Sequence, residues 1–157
     1  MKKSIFAAAA IAAMALATPA MAEDFTGVRV EVTAGTDLDN AKIRNLANDV
    51  TYGAAVGLDT TFMSDNVIVG VEATVDNAFD YRDYGVSARL GYKVADSALV
   101  YGKVGYADFR GLEGVRLGGG VEVALGSGFY TKAEYRYADL ERNVGRHQAL
   151  AGFGVRF

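Results

Sequence analysis

The chain has 157 residues, no cysteine, a single proline and a formal net charge of −3 at pH 7. Disulfides, thiolate metal sites and thiol nucleophiles are thereby excluded, and the acidic balance argues against a nucleic-acid surface. Nineteen glycines in a chain that is 51% hydrophobic suit continuous strand pairing rather than helices.

The first element is the leader. MKKSIFAAAAIAAMALATPAMA carries Lys2 and Lys3, an apolar run from Ile5 to Ala17, Pro19, and then Ala20-Met21-Ala22. This is the three-part pattern of a secretory signal peptide, and the small residues Ala20 and Ala22 set cleavage after Ala22. The apolar run is shorter than the ~20 residues a spanning helix needs, so a retained anchor is the weaker reading. Residues 1–22 are thus expected to be removed, leaving 23–157 as one exported domain. The only proline departs with the leader.

From there the chain alternates. Val28, Val30, Val32 and Ala34 alternate with Gly27, Arg29, Glu31 and Thr33. A second segment sets Tyr52, Ala54, Val56, Leu58 and Phe62 against Gly53, Ala55, Gly57 and Asp59; a third sets Val67 to Val75 against Gly70, Glu72 and Thr74. Next come Tyr84, Val86, Ala88, Leu90 and Tyr92 against Ser87, Arg89, Gly91 and Lys93, then a noisier stretch with Val100, Val104 and Tyr106 against Tyr101, Lys103 and Gly105. The sixth pairs Leu117, Val121, Val123 and Leu125 with Arg116, Gly118, Gly120 and Glu122. The seventh places Thr131, Ala133, Tyr135 and Tyr137 against Lys132, Glu134 and Arg136. The last sets Ala149, Ala151, Phe153, Val155 and Phe157 against Gln148, Gly152, Gly154 and Arg156. Period two of this persistence predicts strands, and eight segments of roughly 9–13 residues match what a tilted strand needs to cross a bilayer.

Short turns are expected at Ser64-Asp65-Asn66, Ala95-Asp96-Ser97 and Gly126-Ser127-Gly128, with longer connections over 37–50, 77–83, 110–114 and 138–145. That asymmetry predicts an all-β, eight-stranded, antiparallel up-and-down transmembrane β-barrel.

Alternation alone does not say which face points outward. The glycines decide it, because all but Gly102 and Gly119 of those in the eight segments share the charged parity. A narrow barrel lacks interior space, so small residues between a few long charged ones belong inside. The predicted lumenal charges are Arg29, Glu31, Asp59, Glu72, Arg89, Lys103, Glu122, Lys132, Glu134, Arg136 and Arg156, with Lys93 and Arg116 on the same parity. The apolar parity then faces lipid, with Tyr52, Phe62, Tyr84, Tyr92, Tyr106, Tyr135, Tyr137, Phe153 and Phe157 forming two interfacial girdles.

The stretches YTKAEYRYADLE (Tyr130–Glu141) and RHQALAGFGVRF (Arg146–Phe157) resemble the last two strands of the small outer-membrane β-barrel family of opacity-type surface antigens and OmpA-like transmembrane barrels. Gly152, Val155 and Phe157 occupy the places of that family's C-terminal assembly signal, while Leu150 stands where a polar residue is usual. The resemblance implies recognition by periplasmic chaperones and the barrel-assembly machinery, and residence among outer-membrane lipid and lipopolysaccharide in a Gram-negative envelope. It implies a surface protein, with a host or surface ligand for the loops left unidentified.

Chemistry is sparse. Glu122 and Glu134 are a candidate acid–base pair, but with as many cations nearby they read as members of a salt-bridge network. His147, the only histidine, has no neighbouring serine and reads as an interfacial residue. Gly118-Gly119-Gly120 precedes no helix and is no phosphate loop. The acidic stretches Asp37–Asn40 and Asp80–Asp83 read as solvated loops. No cofactor or metal is expected. The sequence therefore predicts a non-enzymatic outer-membrane protein with a role in envelope integrity. A small pore is the chief alternative, and a soluble periplasmic lipocalin-like binder is the alternative at the level of fold.

Overall fold

The computed structural model describes residues 25–38, 50–78, 81–109, 112–140 and 144–157. The leader, with Ala20 and Ala22, lies outside the described residues, as do 39–49. Eight strands run in chain order: β1 (Gly27–Asp37), β2 (Val50–Phe62), β3 (Ser64–Ala78), β4 (Tyr81–Ala95), β5 (Ala98–Phe109), β6 (Leu112–Gly126), β7 (Phe129–Leu140) and β8 (Val144–Arg156). Each pairs antiparallel with the next, and β8 pairs with β1 to close the barrel. The 13 residues of β2, at ~3.3 Å each and tilted ~45°, rise roughly 30 Å, the depth of a bilayer's hydrocarbon core.

The charged parity lies inside. In β3, Val71 is 59% exposed and its neighbour Glu72 only 4%. Outside, Val28, Val56, Leu58, Val86, Leu90 and Val104 form a continuous exposed apolar wall. An apolar surface of that extent on the outside of a closed barrel suits contact with lipid. Closure leaves no unpaired sheet edge, as hydrocarbon requires.

The inward glycines make room for long side chains. A Cβ at Gly57 would lie 2.7 Å from the Arg29 guanidinium, one at Gly85 2.7 Å from Arg116 Nη1, and one at Gly120 2.9 Å from the Tyr101 hydroxyl. At Gly152 it would meet the Lys132 stem at 2.9 Å, and at Gly154 the Tyr130 ring at 2.5 Å. Each glycine is thus the vacancy that a charge or ring from another strand fills. Gly102 and Gly119, the two exceptions, face each other across β5 and β6 on the outer wall.

The connections differ from the sequence expectation in two respects. At one end, which we call the turn end, the chain reverses at Met63, at 96–97 and at 127–128; Ser64 and the residues after it already belong to β3. Met63 and Ser127 take positive φ, 62° and 54°, the left-handed conformation of tight reversals. At the opposite, loop end, only 38–49 is long. The expected loops over 77–83 and 110–114 shrink to two residues each, because β3 to β6 continue past the Asp, Asn and Arg residues that read as loop.

At the turn end the start of β1 meets the C-terminal residue. Val28 N–H donates to the Phe157 carbonyl (3.2 Å) and Phe157 N–H to that of Val28 (2.8 Å). Below them the lumen has an apolar floor that the sequence parity did not anticipate: Phe25, Ile68 and Leu99, each 1% exposed or less, with Ala124 packed against them.

Candidate functional site: the charged lumen

Every strand contributes charge to the interior because each keeps its parity across the span of the barrel, the register shifting only near the turn end, between Thr61 and Phe62, Lys93 and Ala95, and Ala124 and Gly126; on β8 Val155, on the outward parity, is nonetheless buried. The buried charged residues described are eight carboxylates and eight cations. They form three tiers along the barrel axis.

The tier above the floor centres on Asp59. Its carboxylate lies 2.9 Å from Arg29 Nε, 3.1 Å from Arg89 Nε and 3.1 Å from Arg156 Nη2. Glu122 joins Arg89 (3.1 Å) and Arg156 (2.7 Å) into the same ring. Two tyrosines lie beneath the guanidinium groups, Tyr101 under Arg89 at 4.8 Å and Tyr130 under Arg156 at 5.0 Å, a stacked geometry that suits Arg rather than Lys.

The middle tier holds Glu31, Glu72 and Glu134. Arg29 reaches up to Glu72 at 2.7 Å. Lys103 bridges Glu72 and Glu134, 2.7 Å from each. Lys132 joins Glu134 (3.0 Å) to Glu31, and the hydroxyls of Tyr130 and Tyr101 donate to Glu31 (2.7 Å) and Glu134 (2.6 Å). Buried side-chain atoms without a hydrogen-bond partner occur on both sides of this tier, on Arg29, Asp59, Arg89, Glu122 and Arg156 below and on Asp76, Arg116 and Arg136 above. None belongs to its lysines or glutamates. A fully satisfied network of this kind is stiff.

The loop-end tier is an arginine–aspartate ladder. Arg136 pairs with Glu134 and with Asp76 (2.7 Å); Arg116 reaches Asp76 (3.7 Å) and Asp83 (2.6 Å). Arg146 then spans Asp83 (3.0 Å) and Asp37, meeting Asp37 by two parallel contacts of 3.0 Å. A continuous chain of ion pairs thus runs from Arg156 to Arg146.

The eleven lumenal charges read from the sequence all enter this network. Asp37, Asp76, Asp83 and Arg146 were missed there: Asp37 and Asp83 fell in the expected connections 37–50 and 77–83, and Asp76 and Arg146 stood just outside the connections 77–83 and 138–145. Asp37 and Asp83 are 7% and 1% exposed, so those acidic stretches are partly lumen wall and not solvated loop. Continuing the parity of Glu31, Thr74, Gly85 and Gln148 by a few residues would have found all four. Lys93 is half-buried at the turn end, its Nζ 5.9 Å above the Phe25 ring.

A family model described as the outer membrane protein β-barrel domain matches residues 6–157. The chain belongs to that family. Among solved structures, this outer-membrane barrel resembles a de novo designed transmembrane β-barrel, with TM-score 0.59, 17% identity, and 88% of this chain and 100% of that one covered. It also resembles Ail, the attachment invasion locus protein of Yersinia pestis (TM-score 0.57, 16% identity, 85% and 100% covered). A third is the outer membrane enzyme PagL (TM-score 0.53, 12% identity, 82% and 99% covered). No curated protein matches the chain significantly. At these identities the likeness speaks for the fold alone, and a fold shared by a design, an attachment protein and an enzyme assigns no activity.

Function must therefore be argued from the barrel's own residues. His147 lies on the outer wall, half-buried, its Nδ1 2.5 Å from the Tyr135 hydroxyl and its ring 4.7 Å from that of Tyr137. These are interfacial aromatic contacts. Among the described residues, no group of three or more His, Cys, Asp or Glu is arranged to hold a metal. Of the C-terminal residues singled out in the sequence, Gly152 faces inward against Lys132, Val155 pairs with Val30 and Phe129, and Phe157 is half-buried at the seam with β1.

Proposed function

We propose that this outer-membrane barrel is a non-enzymatic integral protein that contributes to the mechanical and permeability integrity of the envelope. The observation that carries the reading is the lumen itself. Among the described residues its buried charged side chains are joined by ion pairs from end to end, which argues against a pair held ready for chemistry and against a continuous bore for solutes. Eight strands enclose a space that side chains just fill, which argues against the pore alternative. The exposed Val and Leu wall argues against a soluble lipocalin-like binder.

The same proposal includes export with removal of residues 1–22 after Ala22, and assembly through Gly152, Val155 and Phe157 by the barrel-assembly machinery. Lipopolysaccharide and phospholipid are the surroundings. Any contact with a host or surface ligand falls to 38–49, the longest connection between strands.

The test begins with fractionation and unboiled and boiled SDS gels. The protein is expected in the outer-membrane fraction with a heat-dependent band shift, and a soluble unshifted band would refute the reading. In planar bilayers, steady nanosiemens channels would establish a pore instead. Cells lacking the protein should become more sensitive to detergent and large antibiotics; unchanged sensitivity would remove the envelope role. Phe157→Asp places a charge at the lipid interface of the closing strand, and is expected to reduce the heat-shifting outer-membrane band several-fold, since lipid-face charges are unfavourable.

A further inference from the structure

Two residues ahead of β1, Phe25 is 1% exposed even though no strand holds it. Gly27 explains how it arrives there. Its φ of +108° bends the chain inward, and a Cβ at that position would collide with the backbone carbonyl of Phe157. Only glycine satisfies both demands. Beyond the bend the Phe25 ring meets Ile68 and Leu99, both 0% exposed. These two are out of place in a charged lumen unless they serve an apolar guest. Two cations face the ring, the Arg156 guanidinium at 5.5 Å and the Lys93 ammonium at 5.9 Å, both within reach of its π face.

We propose that Phe25 is a stopper, a residue of the chain's N-terminal segment that seats in the turn-end mouth of the barrel and closes the lumen from below. Arg156 belongs at once to the seat and to the ring around Asp59. The stopper therefore keeps water from the lowest ion pairs, which are stronger in the drier surroundings it creates. The turn-end mouth is shut by the residues just ahead of β1 rather than by a strand.

The chain has no cysteine and no tryptophan, so single reporters read cleanly. Leu99→Cys places a thiol in the floor. With Phe25 in place, a cationic methanethiosulfonate should label the folded protein slowly. In the Phe25→Ala background labelling should be about tenfold faster or more, since local opening no longer limits access. Phe25→Leu should keep it slow. Equal labelling rates with Phe25 present and with Phe25→Ala would overturn the stopper. Phe25→Trp supplies a second measurement that does not depend on the alanine variant folding. Its emission should be shielded both from aqueous iodide and from brominated lipid. Strong quenching by iodide would mean an open mouth, and strong quenching by brominated lipid a ring in the bilayer; either refutes the seat.

Discussion

The two ends of the barrel are closed by opposite means. At the loop end, Arg146 and Asp37 meet bidentately where β1 ends, and Asp83, Arg116, Asp76 and Arg136 continue the ladder inward. At the turn end the plug is apolar, Phe25 on Ile68 and Leu99. The outer walls differ in the same sense. Tyr52, Tyr84, Tyr106, Tyr135 and Tyr137 ring the loop end, and the Tyr106 hydroxyl donates to Glu113 at 3.1 Å. Phe62, Phe129, Phe153 and Phe157, joined by Tyr92, ring the turn end. One end is built for hydrogen-bonding surroundings and the other for exclusion of water. The middle tier isolates the two.

That contrast can be tested by breaking each layer. The largest effect is expected at Arg29, which holds Asp59, Glu31 and Glu72 and is fully buried. Arg29→Met takes one cation from each of those carboxylates and leaves the buried cluster one positive charge short, which should cost about 3–5 kcal/mol, read as a lower urea midpoint for unfolding from vesicles. Little change would mean that the lumen reorganises freely. A smaller loss, about 1.5–3 kcal/mol, is expected for Arg146→Gln at the loop end, where charged hydrogen bonds are lost nearer to water. Salt should weaken the loop-end pair more than the Arg29 hub, because screening acts on groups near solvent; equal salt sensitivity of the two variants would erase the distinction between tiers. The smallest effect belongs to the turn-end wall. Phe129 and Phe153 stack at 5.7 Å with planes 19° apart, and a double-mutant cycle to alanine should return a coupling of about 0.5–1.5 kcal/mol. A coupling near zero would reduce the stack to coincidental neighbours.

Most of the architecture was legible in the sequence, because a closed barrel imposes one rule, period two, on every strand. Glycine parity then fixed which face turns inward, and the spacing of Gly57, Gly85 and Gly154 against Arg29, Arg116 and Tyr130 shows why. What period two does not encode is depth. Asp83 read as loop, and Asp76 as the end of its strand, because isolated aspartates disfavour strands; ion pairing across the lumen, Asp76 with Arg136 and Asp83 with Arg116 and Arg146, holds them inside. Ile68 and Leu99 sat on the charged parity without an evident reason until Phe25 supplied one. Tertiary partners far along the chain decided each of these cases.

The seam between β1 and β8 has a consequence for the order of folding. Inward contacts over this seam join residues far apart in the chain: Tyr130 and Lys132 to Glu31, Arg146 to Asp37, Arg156 to Asp59. Among the buried charges described, β8 supplies two cations, Arg146 and Arg156, and no carboxylate. A sheet awaiting its last strand would therefore enclose a surplus of negative charge, an unfavourable state in a medium of low permittivity. Arrival of β8 brings that surplus to zero in the same step that pairs the sheet's free edges. Electrical balance thus becomes a criterion of completion, met only when β8 has reached β1.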